Sequence, residues 1–460
     1  MRAVVAGGGV AGLATALAFA RSGQEAVVLE RDAVDPGGPP GAAFELVRRG
    51  IPHYFQPHAF LPRGRRELRE RAPDVLQALL DAGAAPQDLS EKLHGPRQPG
   101  DDDLVYLWVR RPVIEWALRR AAATEPAVAL RAGCIVAGLA TSDRGRRAEG
   151  VALDGGEIVR GDLIVDALGR YRCPPGWPRG SGEVIDSGAV YYCRYVELAD
   201  GVDHLDAPIL NPRGDLGYMG FNTFRGDNRT YAVIVLAPAP DRGLRALRHE
   251  RAWEAACAAI KPLDVMSSAD YGRPITGVMP MGGLMNIDRT ADPAVGGVVA
   301  VGDAFCHTDP AFAYGLSFSL AHAFALADAT AEAPDVDGVA ERFRAAAGPE
   351  SRERHRLACA IGAARSERWG GGAVDMTLRD GSYPLFSTFG GLAAAPFDDE
   401  VLRRVIGRIG LLDRAAAFDD DPALQERIEA ILAAQAAAPR APAGPPRDEL
   451  LARIAAAAPA

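Results

Sequence analysis

Lysine is almost missing from these 460 residues: it occurs only at Lys92 and Lys261, so arginine supplies nearly all of the 51 basic side chains. With the equally heavy use of alanine and glycine, this reads as the imprint of a GC-rich genome and not as chemistry. Positive charge is also in deficit, 51 basic against 60 acidic residues for a net charge of -9. No basic surface is therefore on offer to nucleic acid or anionic lipid. Paired cysteines are absent too. Cys134, Cys173, Cys193, Cys257, Cys306 and Cys359 stand singly, with no C-x-x-C and no Cys and His at zinc-site spacing, so no metal is expected. They read as reduced, mostly buried thiols, which places the chain in the cytoplasm. An apolar fraction of 48% and a charged fraction of 24% exclude wholesale disorder and a multi-span membrane protein. No internal repeat at the spacing of solenoids or propellers is visible.

The chain is long enough for roughly three domains, or for one enzyme of two interlocked domains. Residues 3–20 are uncharged, follow Arg2 and end Ala18-Phe19-Ala20, which imitates a secretory signal. Gly7, Gly8, Gly9 and Gly12 argue for a different use of this stretch. It reads as a strand from Ala3 to Ala6, a glycine turn, a helix from about Val10 to Arg21 and a second strand from Ala26 to Glu30, one βαβ unit. Short strands follow near 127–130, 135–141, 150–153, 157–160 and 163–166. From 188 the pattern turns antiparallel, with strands expected at 189–198, 216–224, 230–236 and 275–285 and a helix near 244–260. Gly297 to Val301 returns to a buried-strand pattern, and helices are expected through most of 315–370. Beyond 370 the chain reads as helical, with an Ala/Pro-rich linker at 436–446.

Three motifs carry chemistry. Gly7, Gly9 and Gly12 have the G-x-G-x-x-G spacing directly after a strand and before a helix. There the first glycine makes a tight turn, the second admits a pyrophosphate and the third lets the helix pack close. Val10 and Ala11 place backbone N–H groups at the helix start, where an anion is favoured. Glu30, with Arg31 beside it, ends the second strand in position to accept from a ribose hydroxyl pair. Which dinucleotide binds is open on this motif alone. Far away, an apolar strand breaks into Gly302-Asp303, with Pro310 and then Gly315-Leu316 opening a helix. A carboxylate after a buried strand suits a polyol, and a second helix N-terminus suits an electron-rich ring edge. Between them, Asp166 and Gly169 mark a third strand-to-turn element.

In these motifs and their order, over about residues 1–370, the sequence resembles the FAD-dependent monooxygenases of the para-hydroxybenzoate hydroxylase type. That group includes bacterial polyketide epoxidases and, more distantly, flavin halogenases. The resemblance implies an α/β fold: a Rossmann-like FAD-binding domain over 1–187 and 286–370, an interleaved antiparallel-sheet substrate domain over 188–285, and a helical C-terminal extension over 371–460. It implies that Glu30 and the glycines hold the ADP half of FAD, Asp303 the ribityl chain, and Asp166 and Gly169 the neighbourhood of the pyrophosphate. Two further FAD-contacting arginines map to Arg48, in Arg48-Arg49-Gly50-Ile51, and to Arg111. The implied reaction transfers one oxygen atom of O2, by way of a flavin C4a-hydroperoxide, to an aromatic or polyketide-like molecule. NAD(P)H would be the electron donor, directly or through a partner flavin reductase. A flavin-dependent reductase or dehydrogenase acting on an alkene or isoprenoid shares the fold and is the alternative. The halogenase W-x-W-x-I-P element is missing, and Lys92 is the one N-terminal lysine available for such chemistry. The helix opening also departs from the family, reading Ala313-Tyr314-Gly315-Leu316-Ser317 for G-x-G-[LM]-N, with His322 where an acid is common.

His58 and His307 are candidates for proton handling or for the wall of the site. Tyr192, Tyr218, Phe221, Met279 and Met281 are candidates for an apolar substrate cavity, and ordinary sheet packing accounts for them equally well. The assembly is expected to be a monomer or a homodimer.

Overall fold

A computed structural model describes all residues except 36, 143–145, 171–172, 292–294, 334, 380–382, 437–442 and 459–460; at 383 and 384 only the backbone is described. Most of the expected linker at 436–446 thus lies outside the described residues.

A five-stranded parallel sheet organises the first half of the fold, in the order Val298–Ala300, Leu163–Asp166, Arg2–Ala6, Glu25–Glu30, Val128–Ala132. Both faces are covered, which is why its strands read as unbroken apolar runs and not as alternation. Ala3 and Val5 pack under the helices Val10–Arg21, Arg111–Thr124 and Tyr314–Glu332. Val4 and Ala6 pack against a small antiparallel sheet of Val136–Ser142, Arg147–Leu153 and Ile158–Arg160. At about 25 cal/mol per Å², this two-sided burial is what holds the parallel strands in register.

The second sheet is antiparallel, in the order Arg213–Asp215, Gly220–Arg225, Thr230–Pro238, Ala189–Leu198, Gly272–Pro274, with Met279–Met281 also pairing on Ala189–Leu198. Its central strands are again buried on both sides. Tyr192, Val196, Val233 and Val235 meet the helix Glu250–Cys257 and the last helix, Arg447–Ala457. Tyr191, Cys193, Tyr195 and Leu236 face the opposite way, towards Met279, Met281 and Ala311. The helix expected near 244–260 is shorter, because a 3-10 turn occupies Leu244–Arg248. Three strands, Glu183–Asp186, Met285–Asp288 and Cys306–His307, form a bridge between the two large sheets.

The helices after 370 do not form a body of their own. Tyr383–Ala394, Asp399–Ile409 and Pro422–Gln435 bury apolar faces with Phe318 and the strand Val105–Trp108, whereas the final helix is part of the antiparallel sheet's core. Among the described residues, no helix is long and apolar enough to cross a membrane.

Candidate functional site

The glycine turn has the geometry its spacing predicts. Gly7 has φ 109°, and a Cβ there would lie 2.4 Å from the Ala167 carbonyl oxygen. A Cβ at Gly12 would lie 1.9 Å from the Gly7 oxygen, so only glycine lets the helix start this close to the strand. Gly9 differs: its Cβ would meet nothing nearer than Ile51 at 3.7 Å and Arg111 Nη2 at 3.8 Å. Its open side is the floor of a groove. The helix that follows has no side-chain cap and no acidic residue in its first turn, so its N–H groups are left for an anion.

Under this turn lies a buried charge cluster that sequence spacing could not show. Arg48, whose side chain is 1% exposed, donates to Glu30 at 3.0 Å, Asp32 at 3.2 Å and Glu115 at 3.2 Å, and to the Gly8 carbonyl. Burial alone would ease its proton off; Glu115 and Glu30 outweigh that and raise its pKa. Glu30 also accepts from the backbone N–H groups of Gly8 and Asp32. Arg48 therefore fixes the carboxylate expected to meet a ribose. Arg111 donates to Glu115 at 3.0 Å and to His53 Nε2 at 2.8 Å, and Arg119 donates to the Gly8 carbonyl. His53 must then carry its proton on Nδ1, which is buried and has no partner.

At the far end of the groove, the strand Val298–Ala300 gives way to a one-turn 3-10 helix, Gly302–Ala304. Asp303 accepts from His307 Nδ1 at 3.3 Å, and His307 Nε2 accepts from Arg170 at 2.6 Å. Burial would raise the Asp303 pKa, but His307 and the nearby cations hold it well below the usual carboxylate range. The helix Tyr314–Glu332 starts beside it, with Gly315 facing the Asp303 carboxylate. His322 closes the turn from behind: its Nδ1 accepts from the Gly302 N–H at 3.1 Å and its Nε2 meets Ser351 Oγ at 3.1 Å. Burial lowers its pKa to about 3.

Between the histidine's unfolded value near 6.5 and about 3, the unfolded chain binds a proton that His322 refuses, so stability falls as pH drops below about 6.5. Urea unfolding at pH 7.5 and pH 5 is expected to show about 2 kcal/mol of loss from this residue. A His322→Gln variant, which keeps an acceptor and a donor, should lack that part of the slope.

One groove of about 750 Å³ runs from the glycine turn to Asp303. Every residue expected to hold the cofactor lines it except Gly12, which sits beneath the turn, and Asp166. Asp166 points away from the groove and accepts from Arg179 at 2.6 Å and from Trp177 at 3.0 Å, while Arg179 also donates to the Gly169 carbonyl. Asp166 thus holds the turn from behind. His58 and His307 both line the groove. His58 Nδ1 donates to the Gln56 carbonyl at 2.6 Å, and burial with Arg111 nearby lowers its pKa to about 3. It is an acceptor in the wall and a poor store for a proton.

Of the candidate substrate residues, Met281 alone lines the groove. Met279 packs beside it on the same face of the sheet, its carbonyl accepting from Gln56. Tyr192 and Phe221 belong to the opposite, helix-covered face, and the Tyr218 hydroxyl donates to the Pro445 carbonyl there. Lys92 is at the surface, paired with Asp206. The sequence reading missed His53, Arg119 and Arg179. It also missed a buried triad in which Tyr191 and Arg365 both donate to Asp309, Arg365 at 2.8 Å. Arg365 arrives from the long helix Val336–Trp369, and no local pattern marks it.

No protein-family model and no curated protein matches the chain. Solved structures do. PqsL from Pseudomonas aeruginosa, described as a probable FAD-dependent monooxygenase, is 16% identical with a TM-score of 0.59, over 81% of this chain and 98% of that one. The flavin-dependent brominase Bmp2 is 15% identical with a TM-score of 0.59, over 94% and 100%. The tetrameric form of 2-methyl-3-hydroxypyridine-5-carboxylic acid oxygenase is 19% identical with a TM-score of 0.56, over 84% and 95%. This chain therefore shares its overall fold with PqsL, with the flavin-dependent brominase and with this oxygenase.

Proposed function

We propose that the groove binds FAD and that the protein is an FAD-dependent monooxygenase acting on an apolar aromatic or polyketide-like small molecule. The observation that carries this reading is continuity: turns about 290 residues apart in sequence open into one groove with the anion-favouring helix start at one end and Asp303 at the other. Its chemistry fits such a ligand. The floor at Gly9 is open, and the buried His53 Nδ1 and Tyr314 hydroxyl on its walls have no protein partner, as a site awaiting phosphate, hydroxyl or ring-carbonyl partners requires.

When bound and reduced by NAD(P)H or a separate reductase, FAD supplies activation of O2 and an electrophilic oxygen atom. The chain's own work is to hold, orient and dry the reaction. Glu30 and its Arg48 clamp position the ribose end. The free N–H groups of Val10 and Ala11 receive the diphosphate. Asp303, kept ionised by the Arg170–His307 relay, accepts from the polyol. Met281, Gln56 and His58 stand where the groove meets the antiparallel sheet, and the closely packed Tyr191, Cys193 and Tyr195 face excludes water there. His58 can accept a hydrogen bond from a substrate hydroxyl through Nε2 without taking the proton.

The test is direct. Purified protein should be yellow, and screening aromatic and polyene compounds should find one that accelerates both NAD(P)H and O2 consumption. Protein that stays colourless on addition of FAD contradicts the proposal, and turnover without oxygen selects the reductase alternative. Bleaching of the flavin by NADH or NADPH alone would show that no partner reductase is needed.

A further inference from the structure

On the side of the bridging sheet that the flavin groove does not use, four chemistry-bearing side chains from three separate segments converge. Glu183 and Asp288 are direct cross-strand neighbours on antiparallel strands. His355 and Cys359 are one turn apart on the long helix that crosses them. Ligand atoms of Glu183, Asp288 and His355 all lie within 4.8 Å of one another. His355 Nδ1 is 3.7 Å from Glu183 Oε2, and Cys359 Sγ lies 4.0 Å from His355 Nδ1 and 3.7 Å from Nε2.

Two carboxylates facing each other across a strand pair repel. Elsewhere this arginine-rich chain answers its buried carboxylates with guanidinium groups: Arg48 for Glu30, Asp32 and Glu115, Arg179 for Asp166, Arg365 for Asp309. Among the described residues, neither the exposed Glu183 nor the half-buried Asp288, which accepts from the Thr290 N–H, has an arginine or lysine partner; the basic group beside them is His355, whose side chain is 1% exposed. A buried imidazole, a thiol and two carboxylates form a donor set of mixed softness that suits a borderline divalent cation.

Bond lengths of ~2.0–2.3 Å to a tetrahedral zinc place its ligand atoms about 3.3–3.6 Å apart. The His355 contacts, 3.7 Å to Glu183 and 3.7–4.0 Å to Cys359, are close to that spacing; drawing in the group that spans up to 4.8 Å takes side-chain shifts of up to about 1.5 Å, for which the exposed Glu183 has room. We propose that Glu183, Asp288, His355 and Cys359 form a structural zinc site. It would pin the long helix to the bridging sheet, and with it the strand Cys306–His307, whose Cys306 is the other cross-strand neighbour of Asp288 and whose His307 meets Asp303 in the groove. Binding would displace the Cys359 thiol proton to solvent, with no redox change. The ligands come from sequence segments more than 60 residues apart, so no spacing motif could reveal them.

Untagged full-length protein, purified with its flavin, should carry one zinc per chain by plasma mass spectrometry after gel filtration. Stripped with chelator and titrated with cobalt, it should gain a sulfur-to-cobalt charge-transfer band in the near ultraviolet, read as a difference spectrum against the metal-free protein and reversed by zinc. Cys359→Ser should remove that band. Glu183→Gln, at an exposed position that leaves the fold intact, should weaken zinc binding by about tenfold or more. Protein that neither retains zinc nor takes up cobalt would overturn the proposal. So would zinc affinity unchanged in both Glu183→Gln and Asp288→Asn, or a charge-transfer band that survives Cys359→Ser. None of these readouts depends on turnover, so the zinc site and the oxygenase reading can fail separately.

Discussion

Replacing Arg48 with methionine is expected to destabilise the flavin-free protein by about 3–5 kcal/mol, the usual cost of stripping a buried charge of its partner. Three carboxylates depend on this one guanidinium: Glu30, Asp32 and Glu115 are 6%, 7% and 2% exposed. Their remaining partners are few. Glu115 keeps Arg111, and Glu30 keeps the N–H groups of Gly8 and Asp32. Arg48→Lys should fall between wild type and Arg48→Met, because an ammonium cannot span three acceptors in a fixed fork. Urea unfolding without FAD checks this. Were Arg48 there only to touch a ligand, flavin-free stability would not change. FAD affinity should fall in the same variant, since Glu30 loses the group that aims it.

Two glycines of one motif should respond differently to the same added methyl group. Gly12→Ala puts a Cβ 1.9 Å from the Gly7 oxygen, so strand and helix must separate, with both the fold and the turn suffering. Gly9→Ala meets no atom nearer than 3.7 Å, and its stability should stay within about 0.5 kcal/mol of wild type. The new methyl group nevertheless stands where a diphosphate must approach the backbone. An FAD affinity loss of about 100-fold, roughly 2.7 kcal/mol, is expected for Gly9→Ala, measured by flavin fluorescence. Stability loss without affinity loss in Gly9→Ala would show that no ligand lies on that floor.

These two pairs also show what the sequence could and could not disclose. The glycine turn was legible because the roles of Gly7 and Gly12 are steric and local: each position excludes a Cβ for a reason set within a few residues of the motif. The parallel strands were legible as apolar runs. The same two-sided burial hid which residues of the antiparallel sheet face the groove. With Tyr191 and Tyr192 both buried, alternation carries no sign, and Tyr192 and Phe221 fall on the helix side. Arg48 and Asp166 were visible as family positions, but their partners, Glu115 and Arg179, come from elements that only the tertiary fold brings together. His53, Arg365 and the Glu183–His355 cluster are long-range in the same sense. The last helix reads only as part of a helical C-terminal extension, because nothing in Arg447–Ala457 announces that Leu450 and Ile454 complete the core under Tyr192.

The central claim is that two turns at opposite ends of one groove grip a single FAD. Equilibrium binding of FAD, FMN and ADP to the purified, flavin-stripped protein tests it most directly. Each small ligand offers one end only, and joining two ends makes the second contact intramolecular. FAD should bind at least about 100-fold more tightly than either FMN or ADP, with ADP competing for the Glu30 end. Equal affinities for FAD and one of its halves, or no binding of FAD at all, would contradict the claim.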